Sequence, residues 1–368
     1  MRKLFFDIHW FLGIFLSIFL LLTALSGAVL SFQKEITHLL NPQIFKGNQK
    51  TQFLPSQIVA IVEMSQPKAK IRTIVEDTQS IWPIVYLMQE GEKGHDAMRY
   101  VLNTQTHEVS LLKGEKMFQT MNDFHRRFLA GTIGKNMVAI TTISLLVLVF
   151  SGIYLYWKKI KRDFFGSFKV DFRKKGRGFL YQLHSAIGMW LIPWYLLACL
   201  TGLYWSYGWY ADAIHKIARV DASVRSGGPG KKPNGGDKKG SPNIGQILDT
   251  SWIVFKDNIQ SYTQAEINFR SMGKVITIHF QDENSPFDGA YHSMKINPKA
   301  KRVESVEYYD SMPLNEKIVR GMSALHGGEF FGWIGRVGLF VASIGMLLFV
   351  ITGFMLYFDR KKRKSRKI

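Results

Sequence analysis

Residues 124–135 read FHRRFLAGTIGK, and residues 325–336 read LHGGEFFGWIGR. The two stretches agree at fixed places. His125 matches His326, Ile133-Gly134 matches Ile334-Gly335, and a basic residue follows, Lys135 or Arg336. The step from histidine to that glycine is nine residues in both. Each stretch opens onto an apolar run that ends in a Ser/Thr-Gly pair, Ser151-Gly152 or Thr352-Gly353, with the glycine 27 residues beyond the histidine in both. A second matched pair lies upstream. FDIHWFLGIF carries His9 and Gly13, and YQLHSAIGMW carries His184 and Gly188. Ser26-Gly27 and Thr201-Gly202 follow, each glycine 18 residues past its histidine. Identical residue types at identical spacings read as a duplication. Each half is a span, an external domain and a second span.

The 368 residues are 46% hydrophobic yet carry a net charge of +20. That combination suits either a nucleic-acid binder or a membrane protein with basic loops, and the position of the charge decides. Residues 8–32, 137–157, 180–211 and 337–358 contain no Asp, Glu, Lys or Arg. Each is long enough to cross a hydrocarbon core, which needs about 20 residues of helix. The excess positive charge flanks these runs: Arg2 and Lys3, the segment KKIKRDFFGSFKVDFRKKGRG at 158–178, and DRKKRKSRKI at 359–368. Charge placed this way is a topology signal, which sets nucleic acid aside and puts the three basic segments in the cytoplasm. The first run is too long for a signal-peptide core, so it reads as a retained span. Two spans per half restore the starting orientation, so the halves are parallel repeats about an axis along the membrane normal.

The expected organisation is a transmembrane helix over 1–33, an external domain over 34–120 and a second helix over 121–158 with an interfacial turn before it. A basic cytoplasmic loop over 159–179 and a third helix over 180–211 follow. A second external domain covers 212–320, a fourth helix 321–358 and a basic tail 359–368. The fold class is mainly α: a four-helix membrane bundle built from two tandem repeats, each with a small α+β domain. Helical patterns at 55–64 and 242–257 precede strand-like runs at 81–89, 98–112, 273–280 and 290–309, with turns at Asn103-Thr104 and Asn297-Pro298. SGGPGKKPNGGDKKGSPN, 226–243, reads as a flexible loop.

A histidine in a membrane span is costly and marks a cofactor, a proton path or an ion site. One histidine at a helix end can simply cap it or sit at the headgroups; four at symmetric positions carry more weight. Zinc asks for a close set of four ligands, but these histidines divide into two pairs at opposite faces. A proton relay favours intramembrane carboxylates, and the four apolar runs hold none. The only cysteine is Cys199, so no thioether attachment or Cys-rich site is available. Non-covalent b-type haem, held by one histidine from each of two helices, fits best. Symmetry pairs His9 with His184 on the cytoplasmic side and His125 with His326 on the external side, for two haem irons. Gly13 and Gly188, one turn from their histidines, would let a porphyrin lie close. Arg126 and Arg127 are candidate partners for haem propionates, though snorkelling to headgroups is an equal reading. The Ser/Thr-Gly pairs read as helix-packing positions. Trp190, Trp194 and Tyr195 read as packing against core or lipid. His38 and His215 follow the odd spans at unequal offsets and rank below the four. His95, His107, His279 and His292 fall in the external domains. No dinucleotide fingerprint is present, so the electron donor is external.

These residues resemble the PepSY-associated transmembrane helix family. The resemblance rests on His9/Gly13/Ser26-Gly27 and on Leu325-His326/Ile334-Gly335-Arg336/Thr352-Gly353. YVLNTQTHEV and MKINPKAKRV are similar to the family's strand-Asp-Pro-x-x-Gly-strand hairpin, without its Asp or Gly. The resemblance implies PepSY-like periplasmic domains, the bacterial inner membrane, and a role in iron uptake as a di-haem ferric-siderophore reductase. Its partners would be a ferric siderophore or other Fe(III) chelate, a quinol or cytoplasmic flavoprotein as donor, and the bilayer. No separate catalytic side chain is assigned. Two other readings stand beside it: a non-redox membrane anchor whose PepSY-like domains bind or inhibit a periplasmic protease or partner, and a cytochrome b subunit of a larger quinone-linked oxidoreductase.

Overall fold

The computed structural model describes residues 1–46, 53–90, 97–221, 224, 244–269 and 273–365. The glycine-rich segment 226–243 and His95 lie outside the described residues. The chain divides into two compact units.

The first unit comprises 1–32, 120–219 and 322–368. It is helical: α1 (Arg2–Phe15), α2 (Ser17–Leu30), the end of α5 (Glu115–Arg127), α6 (Gly131–Arg162), α7 (Gly176–Ser206), α8 (Gly208–Ala218), α11 (Met322–Gly327) and α12 (Gly332–Ser365). Among the described residues, three helices are long and apolar enough to cross a membrane: α6, α7 and α12. At 1.5 Å per residue each exceeds about 45 Å, longer than the ~30 Å hydrocarbon core. The first apolar run is not one straight helix. It breaks at Leu16, and α1 and α2 meet at 62°. No proline stands there. At the break the Ser17 hydroxyl bonds back to the Ile14 carbonyl at 2.8 Å. The bundle interior is apolar: Leu20 from α2, Val149 from α6, Leu191 and Tyr195 from α7, and Ala342 and Met346 from α12 pack together. The Tyr195 hydroxyl donates to the Ala342 carbonyl at 2.7 Å, so its one polar atom is satisfied inside that core. Trp194 lies against Gly338, and Trp190 is exposed with its indole N–H on the Phe168 carbonyl.

The second unit comprises 33–119 and 220–321. Its strands are β1 (Lys70–Asp77), β2 (Ile84–Met88), β3 (Met98–Leu102), β4 (Val109–Leu111), β5 (Gln264–Asn268), β6 (Ile276–Gln281), β7 (His292–Asn297) and β8 (Arg302–Glu307). Its helices are α3 (Gln33–Leu40), α4 (Pro55–Ser65), α9 (Ile244–Asn258) and α10 (Leu314–Arg320). The expected strand runs and both preceding helices are present. Two further strands, β1 and β5, change the architecture. They pair antiparallel, Ile74 opposite Ile267, and fuse what the sequence presents as two domains into one eight-stranded sheet, ordered β4-β3-β2-β1-β5-β6-β7-β8. Each half runs helix then four antiparallel strands, so the sheet order reads outward identically from the β1–β5 seam. Both helices cover one face. Ile58, Ile61 and Val62 of α4 pack on Ile74, Val85, Leu87 and Leu102. Leu248, Trp252 and Phe255 of α9 pack on Ile267, Ile278, Phe280 and Met294. Asp249 of α9 accepts both the Ser56 amide, at 2.9 Å, and the Ser56 hydroxyl, satisfying the first turn of α4.

Candidate functional site

The four histidines His9, His125, His184 and His326 meet as two pairs. His9 of α1 faces His184 of α7, with ring centres 6.3 Å apart. His125 of α5 faces His326 of α11, with ring centres 6.1 Å apart. All four belong to the helical unit. The pairs stand at opposite ends of the bundle. Thr201, which holds His326, is seventeen residues along α7 from His184, about 25 Å of helix axis.

Each imidazole is held through Nδ1 by a hydroxyl from a neighbouring helix. His9 Nδ1 lies 2.9 Å from Ser151 Oγ, and His184 Nδ1 lies 2.8 Å from Thr352 Oγ1. At the other end, His125 Nδ1 lies 3.1 Å from Ser26 Oγ and 2.9 Å from the Thr23 carbonyl. His326 Nδ1 lies 2.9 Å from Thr201 Oγ1. The adjoining glycine seats the ring in three cases. A Cβ at Gly27 would stand 3.1 Å from His125 Cε1, one at Gly152 3.3 Å from His9 Cε1, and one at Gly202 3.1 Å from His326 Cε1. The fourth ring, His184, instead rests edge-on against Phe349 at 5.0 Å. The Ser/Thr-Gly pairs therefore touch the histidines directly, which sequence reasoning did not extract. The fixed spacing was the available signal. It could not name the contact, because each hydroxyl serves a histidine of a different helix from its own.

The nine-residue step between histidine and glycine has a steric cause. Between His125 and Gly134 the chain leaves α5, passes Phe128 and Leu129 with positive φ, and enters α6. The Arg127 carbonyl then packs so closely on Gly134 that a side chain there would collide with it. Gly335 meets the carbonyl of Gly328 in the same way. Arg336 closes the second turn, donating to the Ser31 carbonyl at the end of α2 at 2.9 Å and stacking on Phe32 and Trp333.

The other candidates separate. Gly13 and Gly188 stand one turn from their histidines, but a Cβ on either would meet Leu148 or Phe349 at ordinary contact distance. Arg127 is held by Asp123 at 3.1 Å. Arg126 is exposed and adjoins His125 in sequence. That makes it the better placed of the two for an anionic group. Neither rival ligand joins a pair. His38 stacks on Phe45 in the sheet unit, and His215 is buried with Nε2 2.9 Å from the Tyr204 hydroxyl. His292 accepts the Tyr309 amide and lies 3.5 Å from Asp282, His279 stands in β6, and His107 turns the β3–β4 hairpin. Cys199 is a free, buried packing residue.

Two facing imidazoles whose Nδ1 atoms are occupied can present Nε2 to one metal centre between them. A first-row metal–imidazole bond is about 2.0–2.1 Å, so two in line separate the nitrogens by about 4 Å and the ring centres by roughly 6 Å. Both observed pairs have that separation. Among the described residues no group of three or more His, Cys, Asp or Glu gathers around a point. Two facing imidazoles, with no further protein donor gathered beside them among the described residues, would suit a metal that brings its other ligands with it. A family model described as the PepSY-associated TM region matches residues 6–360. No curated protein matches the sequence.

Proposed function

We propose a function from one premise: the chain belongs to the PepSY-associated TM family. It is a membrane protein in which the bent pair α1 and α2 serves as one span beside α6, α7 and α12, giving four. The chain is a tandem repeat. The repeated element order around the sheet seam and the repeated histidine–hydroxyl contacts support that reading. The basic segments face the cytoplasm, and the sheet unit lies on the periplasmic side of a bacterial inner membrane.

The proposed activity is one-electron transfer across the bilayer, from a quinol or a cytoplasmic flavoprotein to a periplasmic ferric siderophore or other Fe(III) chelate. Iron held by hard oxygen donors is released more readily as Fe(II). Two b-type haems would supply the Fe(III)/Fe(II) couple, one ligated by His9 and His184, the other by His125 and His326. The protein's part is to hold the imidazoles in facing pairs at both ends of the bundle, to keep the interior between them apolar, and to place Arg126 beside the outer pair. The carrying observation is the ring separation, 6.3 and 6.1 Å in two pairs that share no residue.

An optical spectrum of the purified protein tests this. We expect a Soret band, a reduced α band and two haems per chain. His125→Ala and His326→Ala should each leave one haem, and so should His9→Ala and His184→Ala. A chain purified without haem supports the non-redox anchor instead. Reduced, haem-loaded protein that a ferric hydroxamate does not reoxidise supports the subunit of a larger oxidoreductase.

A further inference from the structure

The four hydroxyls that touch the histidines have a chemical consequence. Each also donates its own hydrogen into the helix that carries it. Ser151 Oγ bonds to the Val147 carbonyl at 2.6 Å, Thr352 Oγ1 to Leu348 at 2.7 Å, Ser26 Oγ to Leu22 at 2.8 Å, and Thr201 Oγ1 to Leu197 at 2.6 Å. A hydroxyl has one hydrogen and two lone pairs. With the hydrogen committed to the carbonyl four residues back, the oxygen can only accept from the imidazole. The proton of each ring must then sit on Nδ1, and the lone pair on Nε2. The Thr23 carbonyl, which has no hydrogen to give, demands the same of His125.

We infer that Ser26, Ser151, Thr201 and Thr352 are positioning residues that lock the four histidines in the Nδ1–H tautomer and tune their basicity as axial ligands. The inference rests on the haem reading above and specifies how the chain makes that site. A hydrogen bond from Nδ1–H to an acceptor increases electron density on the ring. A more electron-rich ligand favours the ferric state, so the hydroxyls lower the potential of the iron they serve. The neutral, already committed hydroxyl is a milder acceptor than a carboxylate, and it introduces no charge into the bundle.

The four positions are not equivalent, which supplies an internal control. His184 has Thr352 as its hydrogen-bond partner at Nδ1. His125 has two, Ser26 and the Thr23 carbonyl, and the carbonyl survives replacement of the serine. Thr352→Val keeps the shape of the side chain and deletes the acceptor. Ser26→Ala deletes one acceptor of two.

The test is a potentiometric titration of the full-length protein in detergent, with haem retention measured by transfer to apomyoglobin. Thr352→Val should raise the midpoint potential of one haem only and speed its loss tenfold or more, within the 10–100-fold range typical of lost outer-shell partners. Thr352→Ser should restore both properties. Ser26→Ala should shift the other haem in the same direction by less. Haem-loaded Thr352→Val with unchanged potentials, or equal shifts for Thr352→Val and Ser26→Ala, overturns the inference and leaves the haem reading standing. Wild-type protein without haem overturns the haem reading and the inference with it.

Discussion

Glu266 stands half-buried in β5, opposite Val75 on one side and His279 on the other. Desolvation pushes its carboxyl up to about 7, and the Arg72 guanidinium offsets part of that rise. In the unfolded chain the group ionises near the ordinary 4.5. Between those values the folded state holds a proton that the unfolded state has lost, so stability falls as pH rises from about 4.5 to about 7. Glu266→Gln removes the titration. Its stability should match wild type near pH 4.5 and exceed it above pH 7 by on the order of 2 kcal/mol, seen as a higher melting temperature. A melting curve of the full chain at several pH values checks this, and parallel pH profiles for the two proteins would count against it. The same residue shows why part of the fold was not legible. KIRTIVED and QAEIN place charged and amide side chains on a half-buried sheet face, so neither has the clean alternation that marks a strand. The four histidines were legible because an ionisable group at the end of an apolar run is rare and because their spacings repeat. The hydroxyls beside them were not, since serine and threonine are common in spans and pack helices more often than they orient ligands.

Among the elements, the two outer hairpins show the closest correspondence between the halves. The β3–β4 turn starts at Asn103, whose side-chain oxygen accepts the amides of Gln105 and Thr106. The β7–β8 turn starts at Asn297, whose oxygen accepts the Ala300 amide. Each ends four residues after its asparagine on a left-handed residue, His107 with φ 59° and Lys301 with φ 50°. Those are the positions where the related Asp-Pro-x-x-Gly hairpin carries glycine. The turn geometry thus persists without the residue that adopts it most easily. A left-handed conformation costs an L-residue about 1–2 kcal/mol, partly offset in a Gly variant by the freedom glycine gains when unfolded. Lys301→Gly should therefore stabilise the sheet unit by up to about 1 kcal/mol. Lys301 is the better target of the two, since histidine tolerates this region more readily. Denaturant titration would read the gain as a higher midpoint at unchanged slope, and a lower midpoint would count against the strain argument. The bend between α1 and α2 lies at the other extreme of legibility. Residues 8–32 read as one uninterrupted run, and the 62° break at Leu16 falls inside it with no proline or charge to mark it, so hydropathy does not register it.

At the scale of the whole molecule, the chain divides its labour between units that each draw on both halves of the sequence. The helical unit takes one histidine of each pair from each half, so neither half alone contains a complete pair. The sheet unit is joined at the β1–β5 seam, so neither half alone contains the complete sheet. Every histidine of the two pairs, and every hydroxyl that holds one, lies in the helical unit. The core of the sheet unit contributes none of them. Phe255 of α9 is fully buried there, with ring centres of Trp252, Tyr262 and Phe280 within 5.5 Å. Phe255→Ala removes a large aromatic side chain from a close-packed site and should cost about 3–5 kcal/mol. That loss should appear as earlier melting of the strand signal in circular dichroism. Below that transition the haem stoichiometry, the Soret maximum and both midpoint potentials should equal those of wild type, because no atom of either histidine pair has lost a partner. Above it, the Soret band should persist while the strand signal is lost, since the bundle keeps its own apolar core of Leu20, Val149, Leu191, Tyr195, Ala342 and Met346. Loss of both signals in one transition would mean that the two units unfold as a single cooperative body, and the placement of the proposed redox site in an independently stable helical unit would have to be abandoned.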